Sequence, residues 1–331
     1  MNHGLRIRVI DGATVRALLP YDACIALMRD AMIEVSRGGA HMPLRQTMSL
    51  PTGTGRLGMM PGYLARPECF GIKLVSLIPG NAARGLSTHL GAYLLYDATT
   101  GAPQALMDAA VLTAIRTAAA TAAATLALMA GSSRTLAIIG TGEQARAHLQ
   151  AMRTAHPFAR VVVWGRDPGR VRGFIEAADT RDIEAARSAE DAVRSADVIC
   201  TVTSSPTPVL LGKWLRPGQH LNLVGASFAE AREIDDDGVE RGRFIVDYRA
   251  SAMAQAGEPR AASPPRTSPR RSARCSTAGR RAAATARTSP STSPWGWRRR
   301  TSPRRGMSSK RQACADSGSS PVYSDAPCPR A

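Results

Sequence analysis

Long apolar runs are missing from this chain. No stretch of about eighteen consecutive apolar residues occurs in its 331 residues, so a membrane-spanning helix is not expected. The opening segment, Met1-Asn2-His3-Gly4-Leu5-Arg6, has no apolar core and does not read as a secretory signal. A cytoplasmic location is expected. Metal-type cysteine spacing is missing as well. Cys24, Cys69 and Cys200 stand apart, Cys275, Cys314 and Cys328 lie toward the C-terminus, and no Cys-x-x-Cys pair occurs. No metal site is expected, and the cysteines of the body read as free thiols packed like small hydrophobes.

Aliphatic residues are nearly absent from one segment. Pro259–Ala331 contains no Leu, no Ile and a single Val, Val322. Such a stretch cannot bury a core. It also holds most of the charge: sixteen Lys/Arg against two Asp/Glu, which leaves about +3 of the total +17 for the first 258 residues. That is an ordinary balance for a globular body. The basic signal therefore belongs to the tail and not to the body.

The body alternates elements. Asp11–Arg37 reads as a helical region, with Ala23, Ile25, Leu27, Met28, Ala31, Met32 and Val35 at mixed spacings of three and four. Short strand-like pieces follow at Arg45–Leu50, Arg56–Met60, Gly71–Ile78 and Gly91–Tyr96, separated by Pro, Gly and Asn. Met107–Ala130 is rich in Ala and Leu and reads as a long buried helix. From Arg134 strands and helices alternate. Strands are expected at Thr135–Ile139, Arg160–Trp164, Val198–Val202, Leu221–Val224 and Phe244–Val246, and helices at Glu143–Arg153, Val171–Ala178 and Ala189–Ser195. That rhythm implies a parallel, doubly wound sheet.

Gly140-Thr141-Gly142-Glu143-Gln144-Ala145 lies between a strand and a helix, the context a dinucleotide fingerprint requires. The first Gly permits a tight turn, the second lets backbone amides approach a diphosphate, and the small third residue lets helix and strand pack closely. The helix N-terminus adds free N–H groups and a favourable dipole. At the end of the next strand stand Gly165, Arg166 and Asp167. Arg166 can pair with a 2′-phosphate, which leans toward NADP(H); it can equally be a solvated loop residue, and Asp167 can contact a ribose as in an NAD site. Thr203 and Val224, where two later strands end, complete the cofactor-binding candidates.

A second set of residues precedes the glycine turn: Met42-Pro43-Leu44-Arg45, Met59-Met60-Pro61-Gly62-Tyr63, Gly71-Ile72-Lys73-Leu74-Val75, Pro79-Gly80-Asn81, Thr88-His89, Tyr96 to Gly101, Met107-Asp108 and Leu112 to Ala118. In this order and spacing, from about Leu5 to Glu258, the chain resembles the ornithine cyclodeaminase/mu-crystallin family, which includes ketimine reductases, some alanine dehydrogenases and pyrroline-carboxylate reductases. The resemblance implies roles. Arg45 and Arg116 match the substrate-carboxylate arginines, suited to bidentate pairing with an α-amino or α-imino acid. Lys73 matches the active-site lysine, and Thr88 a hydroxyl on the substrate side. His89 either joins the site or caps a turn; Asp108 either orients Arg116 or caps the long helix.

One position departs from the family's cyclodeaminases. Where they carry an acid in a Val-Gly-Gly-Asp-like motif, this chain reads Val224-Gly225-Ala226-Ser227. A hydroxyl is a far poorer base at neutral pH than a carboxylate, so hydride transfer at a C=N carbon is expected ahead of ornithine deamination. The tail departs too. With GC-rich codons read from the third base, Thr292–Pro303 becomes approximately Tyr-Lys-Ser-Leu-Gly-Val-Ala-Ala-Glu-Asp-Leu-Ala, and Arg266–Thr277 becomes an amphipathic helix. Both resemble what the family carries at its C-terminus, which points to a frameshift near Glu258. The rival is a genuine basic tail for nucleic acid, but only Trp295, Trp297 and Tyr323 offer stacking surfaces and no repeat or fold motif accompanies the arginines.

The expected architecture is α/β. Residues 1–118 form an α+β substrate-binding and dimerisation domain, 119–258 a Rossmann NAD(P)-binding domain, and 259–331 a disordered basic tail out of its proper frame. The expected function is NAD(P)-dependent reduction of a small α-imino acid, or oxidation of an α-amino acid, by a homodimer without membrane or nucleic-acid partners. Two alternatives stand beside it: an ornithine cyclodeaminase, and a non-catalytic nucleotide-binding remnant created by the altered C-terminus.

Overall fold

The computed structural model describes residues 6–178, 180–225 and 231–255. Ser227 and the tail 259–331 lie outside the described residues. Two sheets organise the rest. The first has seven strands: β1 (Arg8–Ile10), β2 (Ala40–His41), β3 (Gln46–Ser49), β4 (Arg56–Ala65), β5 (Glu68–Leu77), β6 (His89–Tyr96) and β7 (Pro103–Asp108), in the order β1-β7-β6-β5-β4-β2 with β3 also on β4. All its pairings are antiparallel except β1 with β7. The second has five parallel strands: β8 (Thr135–Ile139), β9 (Arg160–Trp164), β10 (Ile183–Ala185), β11 (Val198–Thr201) and β12 (His220–Leu223), in the order β10-β9-β8-β11-β12. The chain winds outward from β8 through β9 to β10, then crosses back to β11, so the strand order reverses between β8 and β11.

The helices are α1 (Gly12–Leu18), α2 (Tyr21–Ser36), α3 (Ala109–Leu128), α4 (Glu143–Ala155), α5 (Pro168–Ala178), α6 (Ala189–Ser195), α7 (Asp236–Arg241) and α8 (Arg249–Gln255). The single helical region expected over Asp11–Arg37 is two helices. Pro20 has no N–H to continue α1, and the residue before it is pushed out of helical geometry, with Leu19 at φ −125°, ψ 72°. The long Ala-rich helix begins later than expected, because Pro103–Asp108 is a strand and Asp108 caps the helix by accepting from Val111 N at 2.8 Å. That settles Asp108 as a cap. The strand expected at Phe244–Val246 is absent. Those three side chains are 36–42% exposed, and no described strand pairs with them to form a ladder.

On β8, Leu136 and Ile138 face one way and Ala137 and Ile139 the other, and all four are fully buried. Burial on both faces is what a continuous apolar run in a parallel sheet requires. The first face packs on α3 and α4, whose Ala118, Ala119, Ala122, Ala145, Ala151 and Met152 are also fully buried. The same apolar cluster takes in Val15, Cys24 and Ile25 of α1 and α2. One core therefore serves elements beside both sheets. Among the described residues α3 is long and apolar enough to cross a membrane by length and composition, although the chain has no unbroken apolar run of that length. Here it carries Arg116 and buries eight residues within the protein.

Candidate active site

Lys73 sits in the middle of β5, opposite Met60 on β4 and Tyr93 on β6. It shares a sheet face with Val75, which is 2% exposed, and β5 packs on α3. Lys73 is itself only 8% exposed, and its ammonium lies 5.7 Å from the centre of the Tyr93 ring. Burial lowers its pKa from 10.5 to about 8, and the Arg116 and Arg45 charges add to that shift. Arg45, on the loop before β3, feels the same pressure: burial and then Arg116 lower its pKa, while Asp247 works in the opposite sense. His89, at the start of β6, is lowered by burial and then by Lys73. Arg45, Lys73, Arg116 and His89 thus form one electrostatic neighbourhood.

Neither Lys73 nor Arg116 forms an ion pair with a described carboxylate, and the Arg116 Nε is buried without a hydrogen-bond partner. Thr113 Oγ1 and Thr117 Oγ1, on the same helix, are also buried without partners. Clustered buried cations are costly unless an anion joins them. A carboxylate is the anion whose geometry matches a guanidinium fork. Thr88 borders this cluster, with its Oγ1 2.9 Å from His89 Nδ1. Asp247 was missed from the sequence, where it follows an apolar run with no motif around it.

The glycine turn adjoins the cluster. Ser87 Oγ donates to Glu143 Oε2 at 3.4 Å, tying the loop before β6 to the first turn of α4. Gly140 has φ +129°, and a Cβ there would stand 2.8 Å from the Val202 carbonyl. Gly142 is the N-cap of α4, has no side-chain cap bond, and has open space where a Cβ would be. The amides of Glu143, Gln144 and Ala145 are therefore not claimed by a cap, the usual condition of an anion-binding helix start. Ala145 is fully buried, as the close helix–strand approach needs. Gln144 Oε1 is buried without a partner. Behind it, His148 Nδ1 meets the Gln144 carbonyl at 2.7 Å and its Nε2 meets Thr121 Oγ1 of α3 at 3.1 Å. These residues fit a dinucleotide diphosphate.

Thr141 packs against Gly165 at the end of β9, where a Cβ would come within 3.0 Å of its methyl group. Arg166 is exposed and pairs with no described acid. Asp167 accepts from Gly169 N at 2.8 Å and Arg170 N at 3.2 Å, so it is occupied as the cap of α5. The Thr203 hydroxyl donates to Glu233 Oε1 at 2.7 Å and accepts from Ser205 N at 3.2 Å. Val224 extends β12 by one residue, its N–H bonding to the Thr201 carbonyl at 3.0 Å.

Comparison with known proteins agrees with this geometry. Residues 8–266 match the model of the ornithine cyclodeaminase/mu-crystallin family. The ketimine reductase mu-crystallin of Rattus norvegicus is 36% identical over 221 residues, 67% of this chain and 70% of that protein. The Delta(1)-pyrroline-2-carboxylate reductase 2 of Burkholderia ambifaria is 38% identical over 254 residues, 76% of this chain and 80% of that protein. The solved Delta(1)-pyrroline-2-carboxylate reductase of Thermococcus litoralis, in complex with NADH and L-proline, superposes with a TM-score of 0.72 at 32% identity, covering 76% of this chain and 79% of that one. The chain belongs to the ornithine cyclodeaminase/mu-crystallin family.

Proposed function

We propose that the protein is an NAD(P)-dependent oxidoreductase that reduces a small cyclic or open-chain α-imino acid to the α-amino acid, or runs the reverse oxidation. The observation that carries this is the junction of two sites: Arg45, Lys73 and Arg116 gather without a described carboxylate on Lys73 or Arg116, and Ser87 ties the neighbouring loop to the glycine turn through Glu143.

The chain's own residues divide the work. Arg45 and Arg116 hold the substrate carboxylate, and Lys73 adds a third charge to it. Gly140, Thr141, Gly142, Glu143, Gln144 and Ala145 hold the diphosphate, with Thr203 and Val224 along the same crevice. Bound there, the nicotinamide supplies or accepts the hydride. In the reductive direction the hydride adds to the α-carbon and a proton to nitrogen, given by Lys73 or a water. A group with its pKa near 8 can give that proton close to neutral pH. Positioning supplies much of the barrier reduction.

Residues 1–118 act as the substrate-binding and dimerisation domain and 119–258 as the nucleotide domain, with α3 continuous through the boundary. Arg166 inclines the site to NADP(H), and the location is cytoplasmic. The tail 259–331 is read from a shifted frame; sequencing the gene and finding no single-base insertion or deletion near the Glu258 codon refutes that. The enzyme assignment is tested by mixing the full chain with NADPH or NADH and Δ1-pyrroline-2-carboxylate or Δ1-piperideine-2-carboxylate. Nucleotide oxidation matched by amino-acid formation is expected. Ammonia released from ornithine without net nucleotide oxidation would make it a cyclodeaminase. Tight nucleotide binding with no turnover of any imino or amino acid would make it a binding remnant.

A further inference from the structure

One buried acid has no part in this scheme. Glu233 is 1% exposed, and its carboxylate collects donors from two strands. Its Oε1 accepts from Thr203 N at 2.8 Å and Thr203 Oγ1 at 2.7 Å. Its Oε2 accepts from Thr201 Oγ1 at 2.8 Å and Gly225 N at 2.6 Å. Its own backbone is anchored too, since the Glu233 carbonyl accepts from Val209 N at 2.9 Å and Leu210 N at 3.0 Å. The Gly225 backbone lies so close that a Cβ there would stand 2.1 Å from the Thr203 carbonyl and 2.5 Å from Glu233 Oε1. The carboxylate staples the end of β11 to the end of β12.

The staple reaches the cofactor crevice through one peptide plane. The Thr203 N–H points at Glu233, so the trans peptide turns the Val202 carbonyl the opposite way. That carbonyl is the group on which Gly140 rests. A dinucleotide lies across the point where strand order reverses, here between β8 and β11. Its adenosine ribose belongs on the β9 side, with Arg166, so its nicotinamide half belongs over the ends of β11 and β12. Those are the two segments that Glu233 fixes.

We propose that Glu233 is a positioning residue for the nicotinamide half of the cofactor, holding the 202–203 and 224–225 peptides in the orientation that half requires. The proposal rests on the reading of the chain as nicotinamide-dependent. Four donors need an acceptor-only group. Glu233→Gln keeps the shape but turns an NH2 toward one donor pair; turned toward Thr201 Oγ1 and Gly225 N, it disturbs the 224–225 peptide and leaves in place the Val202 carbonyl under the glycine turn and the β9 end.

The test is calorimetric titration of the full chain with NADH and, separately, with ADP-ribose, which carries every part of the cofactor except the nicotinamide. Wild type should bind both. Glu233→Gln should raise the Kd for NADH about tenfold and leave that for ADP-ribose within about twofold. Thr201→Val, which removes one donor at nearly constant volume, should shift NADH alone by about two- to threefold, and it decides the matter if the first variant does not fold. A merely structural acid would move both constants together or neither, and either result overturns the proposal. If wild type binds neither probe, NADPH and 2′-phospho-ADP-ribose replace them with the same expectations; if it binds none of the four, the cofactor reading itself fails and this inference falls with it.

Discussion

At the residue scale, Lys73 is the group whose behaviour is easiest to separate from its surroundings. Its lowered pKa, about 8, arises from burial first and from Arg116 and Arg45 after it. Two consequences have opposite signs. A carboxylate ligand prefers the charged form, so affinity for L-proline should be steady below pH 8 and fall as pH rises through it; Lys73→Arg should flatten that fall. The empty protein behaves the other way. Between pH 8 and 10.5 the unfolded chain binds the proton that folded Lys73 has lost, so the Lys73 contribution to stability rises with pH there. An affinity profile flat from pH 7 to 10 in the wild type would contradict the placement. Arg166 carries a second prediction: Arg166→Ala should weaken NADPH about tenfold and NADH little, as read by fluorescence titration. An unchanged ratio would remove the inclination to NADP(H).

These residues were unequally legible in the sequence. The glycine turn announces itself, because the local strand–turn–helix context is part of the motif. Arg45, Lys73 and Arg116 do not, since they lie on a loop, a strand and a helix that only the sheet brings together; the family resemblance found them. Glu233 was hidden inside Arg232-Glu233-Ile234-Asp235-Asp236-Asp237, where it looks like one more acid before a helix. Its neighbour Asp235 does play that part, accepting from Gly238 N at 3.0 Å and Gly212 N at 2.7 Å. Nothing in the spacing distinguishes the buried acid from the capping one.

At the scale of elements, the two glycines of the turn should fail differently. Gly140→Ala places a Cβ against the Val202 carbonyl at φ +129°, a conformation that costs about 1–3 kcal/mol for a non-glycine residue; it should lower both Tm and nucleotide affinity. Gly142→Ala meets open space at an ordinary φ of −83°. It should leave Tm nearly unchanged and still weaken NADPH, because the new methyl stands where backbone must approach the diphosphate. A Gly142→Ala protein binding NADPH as well as wild type would argue against the turn as the anion site. Four of the five strands of the parallel half were readable because each is a short, apolar and cleanly bounded run, as at Thr135–Ile139 and Arg160–Trp164, whereas β10, only Ile183–Ala185, was not read. Elements depending on distant partners were not. Of β7 only Met107 and Asp108 were assigned, as the start of the long helix; the segment is a strand because β1 and β6 flank it. Phe244–Val246 reads like a strand and has no described ladder to join.

At the scale of the whole molecule, the antiparallel sheet has an apolar face turned away from Lys73. Pairing sets Met48, Leu57, Ser76 and Leu90 in one row and Leu94, Leu106 and Val9 in another on that face. Val9 is 77%, Met48 50%, Leu90 39% and Leu106 38% exposed. A second subunit covering this face would explain the pattern. Leu106→Asp should then convert a dimer to a monomer in analytical ultracentrifugation, and an unchanged mass would place the interface elsewhere. The C-terminal segment carries a further expectation. If the tail is out of frame, as proposed, restoring the frame after Glu258 should supply partners for Phe244, Ile245 and Val246. These side chains are 36–42% exposed, so completing their burial is worth about 0.6–1.2 kcal/mol each, and the restored chain should melt about 5 °C higher.

The binding of L-proline to the NADH-saturated protein, wild type beside Arg116→Ala, bears most directly on a cation cluster that holds a carboxylate next to a nicotinamide. Wild type should bind proline only when nucleotide is present, and Arg116→Ala should weaken it about 100-fold, on the order of 3 kcal/mol, while NADH affinity stays within about twofold of wild type. Proline binding unaffected by the loss of Arg116, or a folded wild-type protein that takes up neither nucleotide nor proline, would contradict it.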